Sequence, residues 1–374
     1  MSNDVAIRSR DSWLPRLLVC GGTAAYSLVL FLLFDFAYSS LARGDGPRPG
    51  YRIAHPVYDH GFAAKSEGHE AWGELRYTVI TNSLGFKDAS MRDVPLKPTS
   101  RRILLMGDSF AEGIGMRYED SFAGMLQRHG QDRSDKTEFL NAGVGSYSPS
   151  IYYKKTKYLL DAGLQFDEVW LFSDPSDVLD EATTYFCIDD DPKYRAHCTA
   201  AEASMMPMKV AGWSDFFTER FVVTNRVRAL IKSLFVNRAS ALANDSTRIG
   251  WTIPGYDVRN DYTPLGVEGG IRRSLQNMGK LADMLAARNI PLTIVVYPWA
   301  QQIARGDRDS RQAALWRKFC EKRCNAFIDL FPIFFAASQA DRNWYEHLYI
   351  GGGDDHFSAA GNEVVAREVE KLLR

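Results

Sequence analysis

Residues 103–115 read "ILLMGDSFAEGIG", four apolar residues running straight into Gly107-Asp108-Ser109, with further glycines at 113 and 115. A short apolar run that ends on glycine is the signature of a buried parallel strand. Four similar runs follow: "EFLNAGVG" (138–145), "EVWLFS" (168–173), "LTIVVY" (292–297) and "AFIDL" (326–330). Between and after them lie helical patterns over 119–129, 150–161, 270–288, 310–321 and 359–373. Five strands alternating with helices predict an α/β fold, a doubly wound parallel sheet. Ligands of such sheets bind beyond the carboxyl ends of the strands.

Each strand end of interest is polar. The first carries Gly107-Asp108-Ser109, the second Asn141-Ala142-Gly143, and the third Ser173-Asp174-Pro175-Ser176-Asp177. Near the end of the chain, "GGGDDHFSAAGNEVVA" (351–366) places Asp354, Asp355 and His356 on a glycine-rich loop before the last helix. A serine nucleophile needs a base within hydrogen-bond reach, a group to orient that base, and donors for the oxyanion. Ser109 supplies a hydroxyl just beyond a strand, His356 a base, and Asp354 an acid beside it. Of the seven histidines, only His356 combines neighbouring acids with a place just before the last helix. On an extended loop, Asp354 and His356 are expected to meet only if the loop bends. Backbone amides at Ser109 and Gly143 are candidate oxyanion donors, glycine permitting close approach.

The glycines at 113 and 115 lack the Lys-Ser/Thr of a phosphate loop and the spacing of a dinucleotide site, which argues against nucleotide binding. With 45 basic and 46 acidic side chains the net charge is -1, so no global field favours nucleic acid. Asp189 to Asp191 reads as a solvated loop. A metal-dependent alternative would use Asp108, Asp174, Asp177, Asp354 and His356 around a divalent ion.

The N-terminal part is not globular. Leu17 to Phe34 is an uncharged run of 18 residues, which with its flanks approaches the roughly 20 apolar residues that span a bilayer. An uncleaved anchor is expected over 17–40, against the alternative of a signal peptide cut after "SLA". Residues 1–16 are then a cytoplasmic tail. Residues 41–100 form a linker and N-terminal extension, with one strand expected at 76–82. The domain proper covers 101–374 and carries an insertion at about 178–268. That insertion holds a helical pattern over 216–235 with Trp213, Phe216, Phe217 and Phe221. The arginines flanking the span balance, so they set no orientation. Cys187/Cys198 and Cys320/Cys324 are two locally spaced pairs that suit an oxidising compartment. They place the domain on the outer side, periplasmic or extracellular.

Gly107-Asp108-Ser109-Phe110, Gly143, Ser176-Asp177 and Asp354-x-His356, in this order, resemble the SGNH/GDSL hydrolase superfamily over roughly residues 100–374. "TNSLGF" (81–86) ahead of "RRILLMGDSF" (101–110) resembles its membrane-anchored bacterial members. The resemblance implies a flavodoxin-like three-layer α/β/α sandwich with a five-stranded parallel sheet, and ester chemistry without a cofactor. It implies Ser109 as nucleophile, His356 as base, and the amides of Ser109 and Gly143 in the oxyanion hole. Two positions depart from the family pattern. Ser176 stands where an asparagine side chain normally completes the oxyanion hole. Gly353 stands where the acid normally lies, three residues before His356. The two-residue spacing looks like the branch associated with polysaccharide O-acetylation, so Asp354 is the expected orienting acid and Asp355 the alternative. The partners implied are an acylated glycan or small ester, the membrane, and proteins of polysaccharide assembly. A catalytically degenerate, glycan-binding or scaffolding relative is the non-enzymatic alternative.

Overall fold

The structure is a computed structural model that describes residues 14–41, 50–73, 75–188, 221, 223–225, 227–228, 246–253, 261–352 and 354–373. Two compact units divide the chain: residues 1–46 with 209–236, and residues 47–208 with 237–374. The expected aromatic positions Trp213, Phe216 and Phe217, together with Asp189 to Asp191 and Cys198, lie outside the described residues.

The first unit is built on helix α1 (Leu14–Leu41), 28 residues long. At 1.5 Å per residue that is about 42 Å, enough to cross a bilayer with some tilt. By length and composition Leu18–Leu41 is a candidate membrane span. Its one acid, Asp35, accepts the amides of Val223 and Thr224 at 2.9 and 2.7 Å, so part of the insertion returns to this helix. The rings of Phe36 and Phe221 lie 6.0 Å apart in the same contact.

The second unit contains the central sheet. Strands β6 (Arg101–Gly107), β7 (Thr137–Asn141), β8 (Glu168–Ser173), β9 (Leu292–Val296) and β10 (Ala326–Asp329) pair in the order β10-β9-β8-β6-β7, all parallel. Counted from β6, this is the flavodoxin-like order 2-1-3-4-5. All five expected strands are present. Ile103, Leu104, Leu105 and Met106 are fully buried, as a strand covered on both faces requires. Right-handed crossovers then dictate the layers. The β6-to-β7 connection carries α3 (Phe122–Asp132), which packs with the last helix, Ala359–Val369. The remaining crossovers carry α4 (Pro149–Asp161), α5 (Asp177–Thr183), α6 (Gly266–Ala286) and α7 (Arg311–Arg323), which pack on one another.

The N-terminal extension is richer than the single strand expected at 76–82. It forms a hairpin of β1 (Arg52–His55) with β2 (Asp59–Phe62), then a three-stranded antiparallel sheet of β3 (Glu67–Trp72), β4 (Leu75–Thr81) and β5 (Lys87–Asp88). Buried charge ties it to the α/β layers. The Arg52 guanidinium pairs with Glu70 and with Glu112, and Glu112 is fully buried. Near the chain end, β11 (Tyr349–Gly351) and β12 (Asp354–Phe357) form a second hairpin where a loop was expected.

Candidate active site

The strand order reverses between β6 and β8, and the loops leaving their carboxyl ends diverge there. Ser109 follows β6 and Ser176 follows β8. Gly107 ends β6 against the neighbouring strand: a Cβ there would sit 2.9 Å from the Phe172 carbonyl oxygen and 2.7 Å from the Ala111 methyl. Only glycine lets the chain turn so close to β8. Asp108 then caps the short helix α2 (Ser109–Glu112), its carboxylate accepting the Phe110 amide at 3.0 Å. This turn places Ser109 at the first helical position, with its hydroxyl facing β12.

His356 Nε2 lies 2.8 Å from Ser109 Oγ. Its Nδ1 lies 2.9 Å from Asp354 Oδ1, which also accepts the His356 backbone amide at 2.8 Å. The expected loop bend is not needed. Asp354 and His356 are residues i and i+2 of a strand, so they share one face, and Asp355 points to the other. A carboxylate on Nδ1 holds the proton there and leaves Nε2 free to accept from the serine hydroxyl. Ser109 Oγ also lies 3.2 Å from Asp108 Oδ2.

Trp72 was not anticipated from the sequence. Its indole N–H donates to Asp354 Oδ2, the oxygen not used by His356. Its ring stands edge-on to the imidazole at 5.0 Å, and Phe110 packs on the same ring at 4.9 Å. Burial opposes a charge on Asp354, but the bonds from His356 and Trp72 outweigh it and hold the carboxyl below its ordinary range. Tyr345 donates to the Asp354 carbonyl at 3.1 Å and fixes the strand from below.

Gly143 follows β7 and packs on α2, where a Cβ would meet the Ala111 methyl at 2.6 Å. Its amide contacts Asn141 Oδ1 at 3.2 Å. Two residues on, the Gly145 amide donates to Glu112 Oε2 at 2.7 Å, so the loop is anchored to the base of α2. Ser176 precedes α5, and its amide donates to Asp174 Oδ1 at 2.7 Å. Its hydroxyl is buried and has no hydrogen-bond partner among the described residues. No hydrogen bond joins Ser176 to Ser109.

The five residues of the metal alternative separate into different sets. Asp108 and Asp174 share the Tyr297 hydroxyl at 3.3 and 3.2 Å. Burial and the neighbouring Asp174 charge push the Asp108 carboxyl well up. Asp177 takes hydrogen bonds from Tyr152 and Ser173, both at 3.0 Å. Asp354 and His356 hold each other. Among the described residues no three His, Cys, Asp or Glu side chains gather as metal ligands.

No family model matches the chain. No curated protein matches it either. Among solved structures it is similar to an acetylxylan esterase of Geobacillus stearothermophilus, Axe2, in a catalytic mutant: 11% identity, TM-score 0.41, 74% of this chain and 95% of that one. It is similar to the acetyl xylan esterase AlAXEase at 13% identity, TM-score 0.38, 73% of this chain and 100% of that one. A third is a putative lipolytic protein of the G-D-S-L family from Desulfitobacterium hafniense, at 13% identity, TM-score 0.37, 72% of this chain and 99% of that one.

Proposed function

We propose that this chain is a membrane-anchored serine esterase or O-acyltransferase of the SGNH/GDSL type. One observation carries the reading: the unbroken hydrogen-bond chain from Ser109 through His356 to Asp354, at the point where the strand order reverses. A serine hydroxyl 2.8 Å from an acceptor imidazole nitrogen, with a carboxylate on the other nitrogen, is the arrangement a nucleophile requires. Ser109 Oγ attacks the ester carbonyl as His356 Nε2 takes its proton. The carbonyl electron pair moves to oxygen, and the amides of Ser109 and Gly143, with Ser176, receive that charge. His356 then protonates the departing alcohol, leaving an acyl-Ser109. Water, or a sugar hydroxyl in a transferase, attacks the acyl carbon with His356 as base and frees Ser109.

The substrate class in this reading is an acyl ester, acetyl above all, on envelope or secreted glycans. The Asp354-x-His356 spacing supports it. Residues 1–16 are the cytoplasmic tail and 17–40 the anchor, with the catalytic domain periplasmic or extracellular. A disulfide between Cys320 and Cys324, and a disulfide-bonded Cys187, support an oxidising compartment.

The test is p-nitrophenyl acetate cleavage by the full-length chain in detergent micelles. Ser109→Ala is expected to lower kcat by at least about a thousandfold. Wild-type turnover in that variant would remove the nucleophile and leave the glycan-binding alternative.

A further inference from the structure

Lys155 lies on α4, facing inward, and is 1% exposed. Its Nζ donates to the Ala142 carbonyl at 2.7 Å and to the Tyr147 hydroxyl at 3.1 Å. Three rings surround the ammonium, with the centroids of Tyr58, Phe86 and Tyr147 at 5.3, 5.2 and 4.8 Å. Aromatic faces attract a cation but do not neutralise it. Among the described residues no carboxylate hydrogen-bonds to it, and the carboxylate charge that acts on it is that of Glu112, from a distance. Burial pushes its pKa down to about 7.

A buried ammonium without a counter-ion is unfavourable, and an apolar side chain of the same length would fill the space without desolvating a charge. The fold keeps the amine and, when it is protonated, aims its charge at one peptide. That peptide joins Ala142 to Gly143, and it is trans, the cis bond among the described residues being Thr263–Pro264. In a trans peptide the carbonyl and the N–H point in opposite directions on one plane. A cation on the Ala142 oxygen therefore fixes the direction of the Gly143 N–H. It also withdraws electron density through the amide and makes that N–H a stronger donor. In the resting site that N–H donates to the neutral Asn141 Oδ1 at 3.2 Å, the long end of the ordinary range. A developing oxyanion is a stronger acceptor.

We propose that Lys155 is a positioning residue of the oxyanion hole, orienting and polarising the Ala142–Gly143 peptide so that the Gly143 N–H stabilises the tetrahedral intermediate. The inference rests on Ser109 as nucleophile and Gly143 as oxyanion donor. As Ser109 Oγ bonds to the acyl carbon, the carbonyl electron pair becomes the charge on oxygen. The serine proton goes to His356 Nε2, and none passes through Lys155.

The experiment uses the full-length chain in detergent micelles with p-nitrophenyl acetate. Lys155→Met is expected to lower kcat about tenfold, less than loss of a direct oxyanion donor, with KM unchanged. Its melting temperature should equal or exceed that of the wild type. Lys155→Gln keeps a donor without the charge and should fall between the two. Ser109→Ala is run beside them, and retained turnover there would remove the underlying reading itself. With Ser109→Ala inactive, wild-type kcat in both Lys155 variants overturns this inference alone. Failure of both to fold, or a loss of kcat that only tracks a fall in melting temperature, also overturns it, because the charge would then serve the fold.

Discussion

Lys87 and Lys155 are both buried to 1% exposure, and each donates to at least one backbone carbonyl beside the site. Lys87, on the N-terminal extension, bonds the carbonyls of Gly113 and Met116 at 2.7 Å each and so holds the loop after α2. Burial lowers its pKa to about 8, while the charges of Glu112 and Glu70 work to keep it protonated. With Arg52 these residues form a cluster of two basic and two acidic side chains, in which burial and the Glu112 charge raise Glu70 to about 7. Lys155 has no such balance. The difference separates two uses of buried charge: the first cluster joins the extension to the α/β layers, and the second bears on a single peptide. A balanced cluster loses stability when one member is removed, whereas an unbalanced ion loses function.

Replacing Lys87 by Met would leave Glu112 and Glu70 facing one remaining cation. The expected loss is about 3–5 kcal/mol in denaturant unfolding of the full-length chain. An unchanged midpoint would erase the contrast with Lys155→Met, for which no loss of stability is expected. Asp354→Asn keeps the shape of the acid but favours the wrong imidazole tautomer. It should lower kcat by up to about ten-thousandfold, while Asp355→Asn, on the opposite face of β12, should change kcat far less. Equal losses in the two would mean that the strand register is not the one described.

Trp72→Phe keeps a smaller aromatic ring against His356 and removes the N–H to Asp354. About a tenfold fall in kcat at constant KM is expected, within the range of one hydrogen bond to a charged group. Combined with Asp354→Asn it should cost little more, since Trp72 acts through that carboxylate. Full additivity would show that it acts elsewhere. Ser176→Ala is expected to have the smallest effect. The hydroxyl is a short-armed donor without a hydrogen-bond partner among the described residues, so a severalfold loss in kcat and little change in stability should follow. A loss of a hundredfold or more would put Ser176 on a par with the backbone donors.

The layout of the sheet was readable because parallel strands buried on both faces are written as unbroken apolar runs, as in 103–106 and 168–173. The candidate pair Ser109 and His356 could be proposed from sequence because the first follows such a strand and the second stands just before the last helix, each within a polar block. What the sequence hides is what reaches the site from elsewhere. Trp72 is 282 residues from Asp354 in the chain, and nothing local to "EAW" indicates which carboxylate its indole will meet. Lys155 stands in "YYKKTKYLL", which reads as the wet face of an amphipathic helix, and only packing shows that one of these lysines turns inward. The glycine-rich stretch at 351–353 suggested a loop, yet β12 forms beyond it. Pairing with β11 is a tertiary decision that glycine content does not encode.

The central claim is that Ser109 is a nucleophile activated by His356. The most direct measurement is labelling of the full-length chain with a fluorophosphonate probe, followed by mass mapping of the modified peptide. The probe phosphorus should be found on Ser109, and labelling should collapse in His356→Ala. Labelling of another residue, or undiminished labelling of Ser109 without the histidine, would contradict it.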